Sequence, residues 1–208
     1  MTQIHWDWYQ RTGPGVEVLG NPTRCTIADL GAGTGRQAAY IAQNHQPAEV
    51  IAIDSSPSQS ERARNLYGHI PGLTFIEADA TDYLQQHPSS LDMCYSAFGA
   101  LDFTDPRTLL PAIATSLRPG GILVIATLAH TRDGRPAAGE VRPTNHSFLD
   151  QDGNPKAIAW WVLSPPVWAG LLTATGFIHH STQEIRDPGT TTEPPMAVNL
   201  IRATRKAR

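Results

Sequence analysis

Short apolar runs alternate with longer amphipathic segments along most of the chain from about residue 26. The apolar runs predict five strands in succession, at 26–28, 49–54, 73–79, 91–98 and 122–128. Between them the pattern predicts helices at 37–43, from Ser56-Pro57 to about Gly68, and from Thr104 or Asp105 to about Leu117. This alternation is typical of crossover units that build a parallel sheet.

The second half of the chain changes character at about residue 129. Residues 129–160 are polar and rich in Gly, Pro, Asn and Asp, which predicts a long irregular insertion of the kind that is usually functional or mobile. Ser164-Pro165-Pro166 then begins a helix that ends at Gly176. Residues 177–185 and 197–203 predict two final strands, so we expect one α/β domain over residues 1–208.

Composition narrows the class of protein. The 208 residues are 40% hydrophobic and carry a net charge of -3, with the C-terminal basic residues confined to a short cluster, so we expect no nucleic-acid surface. The start lacks the features of a signal peptide, and no apolar run approaches the roughly 20 residues that span a bilayer, which predicts a cytoplasmic protein without a membrane partner. Cys25 and Cys94 lie in separate apolar runs, so we expect two reduced core thiols and no metal site.

An acid followed by a glycine-rich loop, Asp29 to Gly35, stands between the first strand and the first helix. Glycines at 31, 33 and 35 allow the backbone to approach a ligand, and the helix start offers free N–H groups to a carboxylate. Asp54 and Asp79 end the next two strands at the same edge of the sheet. We expect Asp54 to accept hydrogen bonds from ribose hydroxyls and Asp79 to contact an adenine amino group. The pattern predicts a nucleoside site.

Two residues argue against a nicotinamide dinucleotide. Its fingerprint needs Gly or Ala directly after Gly35, where this chain has the bulky Arg36. Asp29 also places negative charge at the entry of the loop, which would repel a pyrophosphate but suits a ligand with ammonium and sulfonium groups. A dehydrogenase is therefore a distant alternative.

These motifs resemble those of the class I S-adenosylmethionine-dependent methyltransferases. The first motif of that family is similar to residues 28–35, and its second-strand acid matches Asp54. Residues 77–80 match the adenine-contacting segment, 96–98 the motif after the fourth strand and 117–121 the turn before the fifth. The resemblance spans about residues 24–130. The opening, residues 6–15, is similar to that of small actinobacterial-type members.

The resemblance implies a fold, a cofactor and a set of cofactor contacts. The fold is a three-layer α/β sandwich whose seven-stranded, mostly parallel sheet has the order 3-2-1-4-5-7-6, with the last strand antiparallel and helices on both faces. The cofactor is S-adenosyl-L-methionine, which leaves as S-adenosyl-L-homocysteine. Its predicted contacts on this chain are Asp29, Gly31, Ala32, Gly33, Gly35, Asp54, Ser55, Asp79, Ala80 and Ser96.

Methyl transfer to a hydroxyl or protonated amine needs a base, and histidines are the candidates. His130 follows the fifth strand, at the edge of the sheet that bears the ligand, so we predict it as the catalytic residue. His146 lies in the insertion, and His179 and His180 are neighbours on the sixth predicted strand, where at most one can face the site.

Aromatic residues indicate where an acceptor would bind. Residues 1–22 include Trp6 and Tyr9 and could fold over the cofactor as a lid, while residues 129–162 bring Trp160 and Trp161 to another wall, although core packing of these rings is an equal alternative. Phe98, after the fourth strand, is a further candidate for contact with the acceptor.

Three functional hypotheses follow. The first is methyl transfer to an oxygen or nitrogen of a small, partly aromatic or apolar metabolite by a monomer or homodimer. The second is an enzyme of the same class that acts on a peptide or RNA. The third is a non-catalytic module that binds S-adenosylmethionine and senses or scaffolds, because the sequence indicates a cofactor site more strongly than a reactive one.

Overall fold

The computed structural model of this chain describes residues 3–149 and 154–207. After a 3₁₀ turn at Val16–Leu19, strands and helices alternate. The strands are β1 (Thr26–Leu30), β2 (Glu49–Asp54), β3 (Leu73–Glu77), β4 (Leu91–Ala97), β5 (Leu117–Leu128), β6 (Thr144–Leu149), β7 (Pro155–Trp160), β8 (Phe177–Asp187) and β9 (Met196–Arg205). The helices are α1 (Arg36–Asn44), α2 (Pro57–Tyr67), α3 (Ala80–Gln86), α4 (Ala100–Phe103), α5 (Pro106–Ser116) and α6 (Pro165–Ala174).

Seven strands form one sheet in the order β3-β2-β1-β4-β5-β9-β8. Strands β1 to β5 are parallel to their neighbours, whereas β9 runs antiparallel to both β5 and β8. With the separate β6–β7 pair set aside, this is the expected order, so the predicted fold is confirmed. The parallel strands bring the chain segments that follow β1, β2 and β4 to the same edge of the sheet.

Alternate residues of the central strands pack on opposite faces of the sheet. In β1, Ala28 and Leu30 lie in a core with residues of α3, α5 and α6, whereas Ile27 packs with α1 and with Trp6 from the N-terminal segment. A strand buried on both sides needs apolar residues at successive positions, which is why these strands read as continuous apolar runs. One core therefore packs on each face of the sheet.

Side chains define where the helices begin. Ser56 Oγ accepts a hydrogen bond from the Gln59 N–H at the start of α2, and the Asp105 carboxylate accepts one from the Arg107 N–H at the start of α5. Thr104 and Asp105 were both predicted as possible N-caps of α5, and the N-cap in the structure is Asp105. Both helices have proline in the first turn, where its missing N–H is not needed.

Several local predictions were wrong. The insertion contains two paired antiparallel strands, β6 and β7, although its polar composition suggested a loop. Strand β5 begins at Leu117, five residues earlier than expected. Its pairing with β4 shifts in register between Leu91 and Met93, so the residues predicted as a turn are part of the strand. Cys25 lies before β1 and is partly exposed; Cys94 is buried in β4 as predicted.

Within the described residues, no helix is long and apolar enough to cross a bilayer.

Candidate functional site

A cavity of about 350 Å³ opens at the carboxyl edge of β1, β2 and β4. We call it the main cavity. The loop after β1, the end of β2, the start of α3 and the segment after β4 all contribute to it. Its lining comprises Gly31, Gly33, Ile53, Asp54, Ser55, Gln59, Ala78, Asp79, Ala80, Phe98, Gly99, Ala100, Phe103, Thr104 and Ile158.

Asp54, the last residue of β2, is held by the backbone on both sides. Its Oδ2 accepts a hydrogen bond from the Gly33 N–H at 2.7 Å, and its Oδ1 accepts one from the Ser56 N–H at 2.9 Å. A carboxylate offers about four lone-pair sites. Each Asp54 oxygen therefore keeps capacity for one further donor from the cavity, as a ribose diol would require.

The three glycines of the loop have different structural roles. All adopt positive φ, at +77° for Gly31, +54° for Gly33 and +72° for Gly35. A Cβ on Gly31 would lie 2.3 Å from the Ala100 backbone nitrogen, and one on Gly35 would lie 2.4 Å from Phe75 Cε1. Gly33 has nothing within 4 Å of that position. Gly31 and Gly35 thus allow close packing inside the protein, and Gly33 leaves room for a ligand.

Asp29 lies at the end of β1 and is only 3% exposed. Its Oδ2 accepts a hydrogen bond from the Tyr95 hydroxyl at 2.9 Å. Burial raises the pKa of the Asp29 carboxyl to about 7; the Tyr95 hydrogen bond opposes this and the charge of Asp54 adds to it. A cation placed beside Asp29 would favour its ionised form.

A side cavity of about 100 Å³ borders Asp29 on the other part of the same loop. It is lined by Gln10, Asp29, Gly31, Ala32, Thr34, Arg36, Gln37 and Ala97. Gly31 lines both cavities. One loop therefore joins a space suited to a nucleoside with a smaller space that offers an acid, an arginine and the first turn of α1, which suit an amino-acid end.

The other predicted cofactor contacts have mixed positions. Ser55, Asp79 and Ala80 line the main cavity, and Asp79 also caps α3 through its Oδ1, which accepts from the Thr81 and Asp82 N–H groups. Ser96 is fully buried and its Oγ accepts a hydrogen bond from the Leu101 N–H at 3.1 Å. Neither Ser96 nor Gly35 is among the residues lining the two cavities. Both stay predictions that this geometry does not support as direct contacts.

Aromatic rings form a continuous surface at the apolar side of the main cavity. Trp8 packs edge-on against Phe98 with ring centroids 5.0 Å apart and lies 6.0 Å from Trp160. Trp160 in turn lies 5.3 Å from Phe103. We call Trp8, Phe98, Phe103 and Trp160 the aromatic wall. Phe98 and Phe103 line the cavity itself, and the two tryptophans stand behind them.

Comparisons with known proteins agree with this architecture. A model of the methyltransferase domain family matches residues 27–121. A SAM-dependent methyltransferase from Methanosarcina mazei has a similar solved structure, with a TM-score of 0.70 at 16% identity, covering 93% of this chain and 97% of that one. The predicted resemblance to the methyltransferases is thus confirmed for residues 27–121, and the fold is that of a solved SAM-dependent methyltransferase.

Two curated relatives each match about half of this chain. A trans-aconitate 2-methyltransferase from Methylobacterium radiotolerans is 36% identical over 120 residues, which are 56% of this chain and 44% of the relative. An O-methyltransferase from Penicillium expansum is 41% identical over 105 residues, 49% of this chain and 37% of the relative. The chain thus spans less than half the length of these relatives.

The predicted acceptor residues divide into three groups. Phe98 lines the main cavity, and Trp160 lies behind it. Trp6 is fully buried, packs edge-on against Tyr95 and donates from Nε1 to the Gly15 carbonyl. Trp161 is buried in the core with α5 and α6. Core packing, the alternative considered for these rings, describes Trp6 and Trp161.

Tyr9 is not among the residues that line the main cavity. Its hydroxyl donates to the Pro194 carbonyl at 2.7 Å, and the Arg11 guanidinium lies over its ring. Arg11 also bonds the Asp187 carboxylate through Nε and Nη2, each at 2.6 Å. Tyr9 therefore helps to fix the N-terminal segment to the loop between β8 and β9.

None of the described histidine side chains lines either cavity. His130 lies two residues after β5, and its Nδ1 is 2.9 Å from the Thr131 carbonyl. His180 Nε2 is 3.2 Å from Thr173 Oγ1. The side chains of His146 and His179 fall outside the described part of the structure. His130 as the base stays a prediction that its position does not support.

Sequence reasoning missed several lining residues. Phe103 is 40% exposed and Ile158 is 37% exposed at the main cavity, and Gln59 reaches it from α2. Gln10, which has positive φ, lines the side cavity. The sequence gives no signal for Gln59 or Gln10. Phe103 lies two residues before Asp105, the N-cap of α5, and an apolar residue at such an exposed position could have been noticed.

Proposed function

We propose that this chain transfers a methyl group from S-adenosylmethionine to an oxygen or nitrogen of a small molecule. The observation that carries the proposal is the pair of cavities joined at Gly31, one with Asp54 and Asp79 and the other with Asp29 and Arg36. This arrangement suits a ligand with a nucleoside at one end and an amino acid at the other. The Methanosarcina mazei protein of similar fold is a SAM-dependent methyltransferase, which is consistent with this cofactor.

The open position at Gly33 supports the fit of this cofactor. A Cβ there would meet no protein atom within 4 Å, and Gly33 lines the main cavity together with Asp54, whose carboxylate accepts a hydrogen bond from the Gly33 N–H. The buried acid Asp29 suits the cationic end, since an ammonium group would offset the cost of ionising it. When bound, the cofactor supplies a methyl group activated by a sulfonium centre.

The chain's own contribution to transfer is positioning. An in-line displacement is accelerated when the acceptor atom is held about 3 Å from the methyl carbon and aligned with it. Phe98 directly follows β4 and lines the main cavity. Its φ is +52°, a conformation that is uncommon for a bulky residue and that the surrounding structure must hold. Its N–H donates to the Ala126 carbonyl, which fixes this turn to β5.

Two segments complete the acceptor side in this proposal. Residues 1–22 act as a lid, which is supported by Trp8 against Phe98 and by Gln10 at the side cavity. Residues 129–162 supply a wall through Trp160 and Ile158. The relatives named above act on trans-aconitate or are O-methyltransferases, and both names are consistent with a small acceptor.

The test is turnover together with binding. We expect the purified protein to bind S-adenosylhomocysteine in calorimetry and to produce it from S-adenosylmethionine with at least one member of a panel of phenols, amines and carboxylic acids that includes trans-aconitate. Cofactor binding without product on any acceptor would favour the non-catalytic module. Product only with peptide or RNA substrates would contradict the small-molecule proposal. Thermal stabilisation by NADH but not by S-adenosylhomocysteine would contradict the cofactor.

A further inference from the structure

The main cavity has a polar part and an apolar part. Asp54, Ser55 and Asp79 lie on the polar part, with the glycine loop, where the proposed cofactor would bind. Phe98, Phe103 and Ile158 line the apolar part. Among the described residues, three large apolar side chains are exposed, and two of these, Phe103 and Ile158, are at this cavity. Exposed apolar side chains gathered at a cavity mark a surface that a ligand covers.

The aromatic wall gives this apolar part a firm backing. Trp160 is 7% exposed, and its Nε1 donates to Asp102 Oδ1 at 3.2 Å. The same Asp102 oxygen accepts a hydrogen bond from Thr127 Oγ1 at 2.5 Å. Strand β5 and strand β7 are therefore tied together behind the wall. Because these tryptophan and phenylalanine rings pack on one another, the apolar part presents a rigid aromatic surface instead of a flexible one.

The charged side chains that the structure describes at the main cavity are acidic. They are Asp54 and Asp79, and no Lys, Arg or His is among the lining residues whose side chains are described. A carboxylate that entered with the acceptor would lose its hydration without gaining a cationic partner. It would also be repelled by the two acids.

One arginine, Arg132, contacts the aromatic wall but does not line the main cavity. Arg132 lies over the Trp8 ring with its Cζ 5.9 Å from the ring centroid. It lines a separate cavity of about 10 Å³, with Trp160 and Val162. Such a space holds about one water molecule. Arg132 is therefore not part of a cavity large enough to hold a carboxylate acceptor.

Resting on the proposed methyl transfer, we propose that the acceptor is a flat ring compound without negative charge, whose ring face packs against Phe103 and Phe98. The apolar lining favours the ring. The two acids, with no cation among the described lining side chains, disfavour an anion of the same shape. Selection by charge would thus separate this chain from a methyltransferase that takes polycarboxylates.

Two ring compounds of matched shape test the proposal. We would measure the Kd values of 2-naphthol and 2-naphthoate by calorimetry in the presence of saturating S-adenosylhomocysteine. We expect 2-naphthol to bind at least about tenfold more tightly, the difference that roughly 1.4 kcal/mol would produce. In Phe103→Ala, its Kd should rise about tenfold while that of S-adenosylhomocysteine stays unchanged. Phe103 is partly exposed, so this variant should fold.

The control variant is Leu66→Ala, which removes an exposed apolar side chain that does not line the cavity. It should leave both Kd values unchanged. Equal binding of the two probes, tighter binding of 2-naphthoate, no binding of 2-naphthol, or an unchanged Kd in Phe103→Ala would overturn the proposal. Failure of the proposed function has a different signature: S-adenosylhomocysteine would not bind to the unaltered protein, or the turnover assay would give no product with any small-molecule acceptor.

Discussion

The Tyr95 hydroxyl donates a hydrogen bond to Asp29 Oδ2 at 2.9 Å, and both side chains are buried. Tyr95 stands on β4 and Asp29 on the neighbouring β1, at paired positions of the sheet. In the described part of the chain, Tyr95 is the one side chain that the structure shows donating a hydrogen bond to this carboxylate. It stabilises the ionised form of Asp29, whereas burial disfavours it. The charge of Asp29 is therefore sensitive to pH near neutrality.

The first prediction concerns pH and cofactor binding. Because the pKa of Asp29 is raised to about 7, its carboxyl is largely protonated at pH 5.5 and must lose its proton to bind a cationic group. Affinity for S-adenosylhomocysteine should therefore increase with pH, by at most about tenfold per pH unit below the pKa. Calorimetry from pH 5.5 to 8 measures this.

Two variants separate Asp29 from other titrating groups. Asp29→Asn should bind more weakly at pH 8 and show a flatter pH dependence. Tyr95→Phe removes the hydroxyl that stabilises the anion, so the rise in affinity should move to higher pH. A pH dependence in Asp29→Asn as steep as in the unaltered protein would contradict the role of this carboxyl.

The second prediction concerns the ribose contact of Asp54. Asp54→Ala should weaken binding of S-adenosylhomocysteine by about 1.5–3 kcal/mol, the usual contribution of hydrogen bonds to a charged group. Asp54→Asn keeps an acceptor oxygen of similar shape, so it should lose less. Unchanged affinity in calorimetry for Asp54→Ala would rule out the proposed contact, and a matched loss in thermal stability would indicate that the backbone bonds to Gly33 and Ser56 matter more.

The third prediction separates two glycines of the same loop. Gly35→Ala places a Cβ 2.4 Å from Phe75 Cε1 at φ of +72°, so it should destabilise the fold by about 2 kcal/mol or more. Gly33→Ala meets no atom within 4 Å and should cost only about 1 kcal/mol of stability. Its larger effect should be on cofactor affinity. Denaturant unfolding and calorimetry on both variants measure the two effects, and equal stabilities would contradict the packing argument.

The fourth prediction concerns Asp102 and stability. Burial raises the pKa of the Asp102 carboxyl to about 7, although hydrogen bonds from Thr127 and Trp160 oppose this. Below about pH 4 the carboxyl is protonated in both the folded and the unfolded chain. Between about pH 4 and 7 only the folded chain retains the proton, so the contribution of Asp102 to stability falls as pH rises through its folded-state pKa, by about 4 kcal/mol at most.

Asp102→Asn removes this titration and keeps an oxygen that can accept from Thr127 and Trp160. The variant should therefore gain stability relative to the unaltered protein as pH rises from 4.5 to about 7.5. Denaturant unfolding at several pH values measures the difference. Glu61→Gln, on an exposed part of α2, controls for the loss of one negative charge. A difference between Asp102→Asn and the unaltered protein that is constant with pH would show the prediction to be wrong.

The fifth prediction concerns His130. A positioned general base typically contributes about 10²-fold or more to turnover. Since His130 does not line either cavity and its Nδ1 lies 2.9 Å from the Thr131 carbonyl, we expect His130→Gln to reduce kcat by less than about tenfold at unchanged cofactor affinity. A loss of 10²-fold or more, together with a changed pH profile of kcat, would establish His130 as the base instead.

Local sequence patterns were sufficient to predict the strands of the sheet and its cofactor edge. Continuous apolar runs are what strands buried on both faces require, and Ser56-Pro57 and Gly35 mark chain positions with local conformational demands. Because parallel strands bring their carboxyl ends to one edge, the acids that end β1 and β2 could be placed together from the order of the elements alone. The strand order followed from the family resemblance.

Long-range packing, in contrast, determines which side chains face the cavities. Trp6 and Trp160 are both aromatic, but one packs on Tyr95 in the core and the other backs the main cavity. The roles of Gly31 and Gly35 depend on Ala100 and Phe75, which lie far away in the chain. Ile158 reaches the cavity from a strand pair whose polar sequence suggested a loop. Such contacts join distant segments, and local sequence patterns carry no information about them.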